Sequence, residues 1–245
     1  MGALLNVGPL NFNPKHDKMK SEIISITKPI KADLLDLTPE QFIVYQARVS
    51  SPNNQLNHDT GAGLLRYCLE NGHWSVFDMV DVTFEIHTSR AIMAQILRHS
   101  SFKFQEFSQR YAEVKDFDFS DLEIRLKHEG GNRQGSGEPN PEMTHAAMQV
   151  LRNNALMYSF LVEDNAAPES ARMVLPLCTP TRAYMKGSVR SWITYFWQRR
   201  SAHAQKEHRD LANSIFAQFA EHFPLCASIA DAGQMKYVLN EGGVA

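Results

Sequence analysis

One stretch constrains this chain more than any other: Arg98 to Tyr111, RHSSFKFQEFSQRY. It follows an alternating run in which Val80, Val82, Phe84 and Ile86 interleave with Asp81, Thr83, Glu85 and His87, the period of a half-buried strand. A helical run from Ser89 to Leu97 leads into it. Fourteen residues then hold two arginines, one histidine, one glutamate and three serines. If the helix continues, Gln95, Arg98 and His99 share one face at i, i+3 and i+4. If the segment past it is extended, Glu106, Ser108 and Arg110 point the same way. Arginines near a helix end often only favour the dipole and stay solvated. Here Phe102, Phe104 and Phe107 surround them, and a charge drawn into apolar surroundings needs a partner. Bidentate donors with hydroxyls suit a phosphate or a carboxylate.

Composition narrows the classes. The chain has 245 residues, 43% hydrophobic and 21% charged, with a formal net charge of -2. That is ordinary for a globular protein and leaves ample length for a core. A weakly acidic balance argues against a protein living on bulk nucleic acid, yet permits a local arginine pocket for one nucleotide. Cys68, Cys178 and Cys226 form no CxxC pair. Reduced thiols in a cytoplasmic setting fit them better than a zinc knuckle or a disulfide framework. No membrane span or secretion signal is expected.

The reading along the chain is a polar arm over residues 1–20, then one domain over 21–240 with a loop insertion at 128–141. A strand starts at Ile23. Thr38-Pro39-Glu40-Gln41 carries the signature of a capping box and opens a helix to about Val49. A second helix runs from Leu64 to Glu70 and stops at Asn71-Gly72. HEGGNRQGSGEPNP, from His128 to Pro141, reads as a loop. Glu142 to Val162 reads as a long helix with a stripe through Met143, Val150, Leu151 and Tyr158. A short helix carries Arg172, a strand covers Thr179 to Lys186, and Ser188 caps a helix to Arg200. Ala204 to Phe223 and about Ser228 to Leu239 complete the set.

Several clusters carry chemistry. Arg172 beside an apolar run is either a snorkelling side chain or an anion contact. Ser188 and Arg190 at a helix start are either an ordinary cap or a phosphate site. Arg199 and Arg200 follow Trp197, and either they serve the helix C-terminus or one turns inward to stabilise developing charge. His203, Glu207 and His208 lack the HExxH spacing, so no metal is expected. No GxGxxG or P-loop motif occurs.

Arg98-His99, then Ser108, then Arg110-Tyr111 resembles the signature of the flavin-dependent thymidylate synthases, the ThyX family. Ser100 stands where that signature has a second arginine. Ala47-Arg48-Val49-Ser50, Gly72-His73, Ala171-Arg172, Val174-Leu175-Pro176-Leu177 and Ala204-Gln205 resemble family blocks in the same order. The resemblance implies an α+β fold, a central antiparallel or mixed sheet flanked by long helices. It implies a homotetramer with shared active sites. It implies reductive methylation of dUMP to dTMP, with methylenetetrahydrofolate giving the carbon, FADH2 the hydride, and NADPH reducing the FAD.

By position, the resemblance assigns Gln95, Arg98, Ser108, Gln109, Arg110, Arg172 and Arg199 to dUMP. It assigns Ser50, Ser75, Arg98, His99, Ser100, Glu106, Ser188, Arg190, Thr194 and His203 to FAD. Arg199 and His73 take the catalytic roles, and Ser108 is a substrate binder. Ser188 and Thr194 stand where asparagines are common. Three rivals remain: a synthase using Cys178 as nucleophile, a catalytically impaired family member, and a nucleotide- or RNA-binding module on the Arg190 to Arg200 face.

Overall fold

A computed structural model describes residues 20–115, 117, 119–128 and 135–231. The expected N-terminal arm, the centre of the 128–141 segment and the end of the last expected helix lie outside the described residues. The strands are β1 (Lys20–Ile26), β2 (Asp81–Ser89), β3 (Lys103–Glu106), β4 (Arg125–Lys127), β5 (Ser136–Pro139) and β6 (Pro180–Ser188). One sheet has the order β1-β2-β6-β3, and β4 pairs antiparallel with β5. The segment read as a loop therefore contains a strand. Residues 136–139 gain ladder partners in β4, which local Gly and Pro content cannot reveal. Helices complete an α+β architecture.

The described chain divides into two compact units. One comprises His87–Ile96 and Glu106–Arg182; the other comprises Lys20–Ile86, Leu97–Gln105 and the residues from Ala183 onward.

In the second unit, α1 (Pro39–Ala47) starts as its sequence dictates. Gln41 N–H donates to Thr38 Oγ1 at 3.2 Å, and Thr38 N–H donates to Gln41 Oε1 at 2.9 Å, closing the capping box. Helix α2 (Gly61–Glu70) begins a turn before Leu64. Gly61 is buried, and a Cβ there would sit 3.0 Å from Val44 Cγ2, so close helix packing decides that start. Gly72, at φ 72°, ends the turn after α2.

The first unit holds α3 (Arg90–Ile96), α4 (Pro141–Glu163) and α5 (Pro168–Ala171), followed by a 3-10 turn at Arg172–Val174. The expected stripe of α4 is narrower than its periodicity implied. Leu151, Ala155 and Tyr158 are buried against Phe117, Phe119 and Ala171, while Met143 and Val150 are exposed. Asn140 caps α4, accepting from Met143 N–H at 2.9 Å.

Back in the second unit, α6 (Val189–Arg199) is capped by Ser188, whose Oγ accepts from Ser191 N–H at 3.3 Å. Helix α7 (Lys206–His222) buries Leu211, Ile215 and Phe219. A further helix, α8, covers 224–231 and starts earlier than the expected Ser228. The buried Glu40 carboxylate explains that start: it accepts from Leu225 N–H at 3.2 Å and Cys226 N–H at 2.8 Å, satisfying donors that a helix start leaves open. Trp192, Tyr195 and Phe196 of α6 pack with Phe84, Phe102 and Phe219 in an aromatic core. Trp192 Nε1–H donates to Val82 O at 3.2 Å, so its polar end is satisfied there.

Gly187 lets that core close. A Cβ at this position would lie 2.5 Å from Phe102 Cδ1 and 2.6 Å from Cε1. Only a residue without a side chain lets the ring approach the strand. Gly187→Ala is expected to lower stability by about 1–3 kcal/mol through overpacking. Thermal unfolding checks this; an unchanged midpoint would mean that Phe102 yields freely.

Candidate active site

The charged centre of the second unit grows from the end of α6. Arg199 Nε–H donates to His99 Nε2 at 2.9 Å. The accepting lone pair on Nε2 places the His99 proton on Nδ1. Burial, then the Arg199 and Arg98 charges, lowers His99 to about 4, so the ring is neutral at neutral pH. Tyr195 and Phe102 hold the ring edge-on, with centroids at 5.1 and 6.3 Å. Behind it, His208 on α7 is fully buried and its Nε2 lies 3.1 Å from Tyr195 Oη. Burial, with smaller effects from Arg199 and His99, lowers His208 to about 3. Burial raises the Tyr195 hydroxyl and lowers the half-buried Arg199. The result is a fixed guanidinium seated on neutral rings in a medium of low polarity, where a charge acts most strongly on its neighbours.

The expected common face of Gln95, Arg98 and His99 does not form. Helix α3 ends at Ile96, and Arg98 and His99 lie in the turns that follow. Aromatic packing of His99, a non-local interaction, overrides the helical spacing. The expected extension through Arg110 also stops early: β3 ends at Glu106, and Tyr111 N–H and Ala112 N–H both donate to Ser108 O in a turn.

Ser188 and Arg190 converge on Asp78. Ser188 Oγ–H donates to Asp78 Oδ1 at 2.8 Å, and an Arg190 N–H donates to Oδ2 at 3.0 Å. The Arg190 guanidinium lies 5.6 Å from the Trp74 ring centroid, in cation–π range. Thr194 Oγ1–H is used on Ser191 O at 2.8 Å. Ser75, Ser100 and His203 are exposed. His73 is exposed too and meets the Tyr67 ring edge-on at 5.8 Å. Ser50 lines an open cleft of about 530 Å³ with Arg48, Ser51, Asn54, Thr60, Gly63 and Tyr67.

In the first unit, Glu106 accepts from Thr181 Oγ1–H at 2.9 Å and lies 3.7 Å from Arg90. Arg110 and Arg172 meet at one residue: Arg110 donates to Glu169 Oε2 at 3.5 Å, and Arg172 Nε–H donates to Glu169 O at 3.4 Å. Ser108 is exposed, Gln95 is half-buried, and Gln109 is 3% exposed. The Gln109 Nε2 group is buried with no hydrogen-bond partner among the described residues. Such an orphan donor is costly unless a ligand acceptor meets it.

Sequence reasoning missed Asp78, weighed His208 only as a metal ligand, and gave Tyr195 and Arg48 no site role. Asp78 is 110 residues from Ser188 and His208 is 13 from Tyr195 on another helix, so no spacing rule joins either pair. Arg48 had a signal in the quoted Ala47 to Ser50 block, but only Ser50 received a role. The basic face of α6 is already engaged: Arg190 with Asp78, Arg199 with His99, and Arg200 with Asp231 and Asn213. That counts against an open phosphate-tracking surface. Among the described residues, no group of three or more His, Cys, Asp or Glu is placed to hold a metal, and no helix is long and apolar enough to cross a membrane. Burial raises the thiols of Cys68 and Cys178, and burial with Glu40 raises Cys226 further, so none is an activated nucleophile.

These features define an α+β protein with a half-buried arginine fixed on a neutral histidine. Comparison with known proteins names the family. The family model described as "Thymidylate synthase complementing protein" matches residues 33–225. A probable flavin-dependent thymidylate synthase of Paramecium bursaria Chlorella virus 1 is 43% identical over 218 residues, covering 87% of this chain and 99% of the relative. The flavin-dependent thymidylate synthase of Synechocystis sp. is 45% identical over 216 residues, covering 86% and 98%. Among solved structures, the UMP/dUMP methylase PolB of Streptomyces cacaoi, bound with 5-Br dUMP, shares the fold. Its TM-score is 0.72 at 23% identity, covering 88% of this chain and 95% of that one. This chain belongs to the flavin-dependent thymidylate synthase family.

The flavin in the family name needs donors for a pyrophosphate and flat walls for its rings. Arg190 lies over the flat ring of Trp74 with the Ser188 hydroxyl beside it on Asp78, a set of donors and an aromatic face whose chemistry fits the group.

The depressed histidines generate a pH test. Their folded values, about 4 and about 3, lie below the ordinary 6.5. The unfolded chain therefore binds protons first, and stability is lost as pH falls from about 6.5 toward 4. The double variant Tyr195→Phe/His208→Leu removes one of these titrations and leaves no unpaired polar atom in that pair. Its thermal midpoint is expected to fall less than the wild type's between pH 7 and 4.5. Parallel curves would exclude His208 from the acid sensitivity.

Proposed function

We propose that this enzyme makes dTMP by reductive methylation of dUMP, taking the carbon from methylenetetrahydrofolate, with NADPH as reductant. Bound FAD supplies the hydride chemistry. The observation that carries the reading is the Arg199–His99 hydrogen bond. A neutral His99 accepts from Nε–H and fixes the plane of the guanidinium, so its two NH2 groups form a rigid donor edge. Such an edge suits the uracil ring, where it would hold a carbonyl oxygen and stabilise charge developing there. The raised thiols support a route that does not run through an enzyme cysteine.

The remaining roles follow the family pattern. Gln95, Arg98, Ser108, Gln109, Arg110 and Arg172 hold dUMP, and the orphan Gln109 amide would find its acceptor there. Ser50, Ser75, Arg98, His99, Ser100, Glu106, Ser188, Arg190, Thr194 and His203 bind FAD or order its surroundings, and His73 acts beside the flavin ring. The Asp78 bridge to Ser188 and Arg190 fixes two of these side chains in advance of binding. Residues 21–240 act as one catalytic domain, four copies share their active sites, and the setting is cytoplasmic.

Arg199→Lys tests the reading. Lysine keeps a charge but cannot both donate through Nε and present a planar fork. We expect kcat to fall about 10²–10³-fold, the magnitude of losing a transition-state donor, while bound flavin is retained. Near-wild-type kcat would remove Arg199 from the chemistry. A purified wild-type chain that cannot take up FAD would overturn the whole assignment.

A further inference from the structure

Arg48 is 7% exposed, and among the described residues its charge has no acidic partner. Its guanidinium makes two hydrogen bonds, both to neutral acceptors: NH1 to Asn54 O at 3.0 Å and NH2 to Thr60 Oγ1 at 2.6 Å. Burying a cation against neutral groups is costly unless an anion completes the site. The C-terminal end of α1, which Arg48 caps, offsets only part of that cost.

The same side chain lines the 530 Å³ cleft, a volume suited to a mononucleotide-sized group. Ser50, Ser51 and Thr60 add hydroxyls around it, and Asn54 adds an amide. Tyr67 and Leu64 form an apolar wall. At Gly63 an added Cβ would meet nothing within 4 Å, so that side of the cleft is open. The cleft also borders the flavin residues of the proposed function: Ser50 lines it, and His73 packs on Tyr67.

We propose that the Arg48 cleft is a phosphate-recognition site for a nucleotide cofactor, with Arg48 taking the phosphate and Tyr67 flanking the nucleoside. The proposal rests on the flavin-dependent reading for its choice of cofactor. The phosphate belongs either to FAD or to the 2′-phosphate of NADPH, and the experiment separates the two.

Two variants act on the cleft by different means. Arg48→Gln removes the charge. Gly63→Met fills the open side and leaves the Asn54 and Thr60 ties intact, while replacing a helix-interior glycine, so the fold should not suffer. In both, FAD affinity is measured by quenching of flavin fluorescence, and KM is measured for NADPH and NADH in flavin reduction. A rise in FAD Kd of tenfold or more in both variants assigns the flavin phosphate. A tenfold rise in KM for NADPH with KM for NADH unchanged assigns the 2′-phosphate. If both variants keep FAD Kd and NADPH KM within twofold of wild type, the proposal fails. It also fails if only Arg48→Gln loses affinity and Arg48→Lys loses as much, because Arg48 then merely ties the turn.

A wild type that binds no FAD would sink the flavin reading instead. Adenosine 2′,5′-bisphosphate then tests the cleft alone: it should raise the thermal midpoint of the wild type and not of the two variants. No shift in the wild type would overturn the site under that condition as well.

Discussion

The hydrogen bond from Arg199 to a neutral histidine organises the second unit. It requires His99 to stay unprotonated, and burial supplies that requirement. Burial in turn depends on Phe102, Tyr195 and His208 closing around the ring, and the seat of Phe102 between His99 and Trp192 depends on the missing Cβ at Gly187. A cation held this way has a fixed direction and is partly withdrawn from water. Both properties are needed if it is to act on a charge that appears only during reaction.

Elsewhere the molecule treats its charges differently, and the contrast marks function. Lys31–Asp33 and Lys206–Asp210 are exposed pairs of the kind that contribute little. Glu40 is buried and raised by its desolvation, yet two backbone N–H groups meet it, so it serves as an anchor for α8. Among the described residues, Arg48 is buried with neutral partners only, and Gln109 Nε2 is buried with none. Buried polar groups left incomplete, as Gln46 Oε1, His58 Nδ1 and Thr88 Oγ1 also are, carry a cost that a ligand can relieve only where a cleft reaches them.

The buried pair of Tyr195 and His208 shows how specific a core can be. Both groups are polar, both are enclosed, and each answers the other at 3.1 Å. Removing one would cost the other its 3.1 Å partner, whereas replacing both by apolar groups of similar shape is milder. The pair joins α6 to α7 directly behind the ring that holds Arg199.

The sequence by itself determined the elements and the family. Alternation at Val80 to Ile86, the Thr38 capping box, Ser188 as a cap and the Asn71-Gly72 stop are local signals, and the structure follows each of them. The RHSSFKFQEFSQRY stretch carried enough identity to name the chemistry. Tertiary structure decided what spacing could not. It ended α3 at Ile96, because His99 packs in an aromatic core instead of continuing a helix. It exposed Met143 and Val150 on α4, because the core of Phe117, Phe119 and Ala171 meets that helix along the face of Leu151, Ala155 and Tyr158. It paired Asp78 with Ser188 and Arg190, and it enclosed Arg48. Backbone propensity acts between near neighbours and leaves its mark on the sequence. Burial and charge pairing act between residues a hundred positions apart, and only the folded chain brings those together.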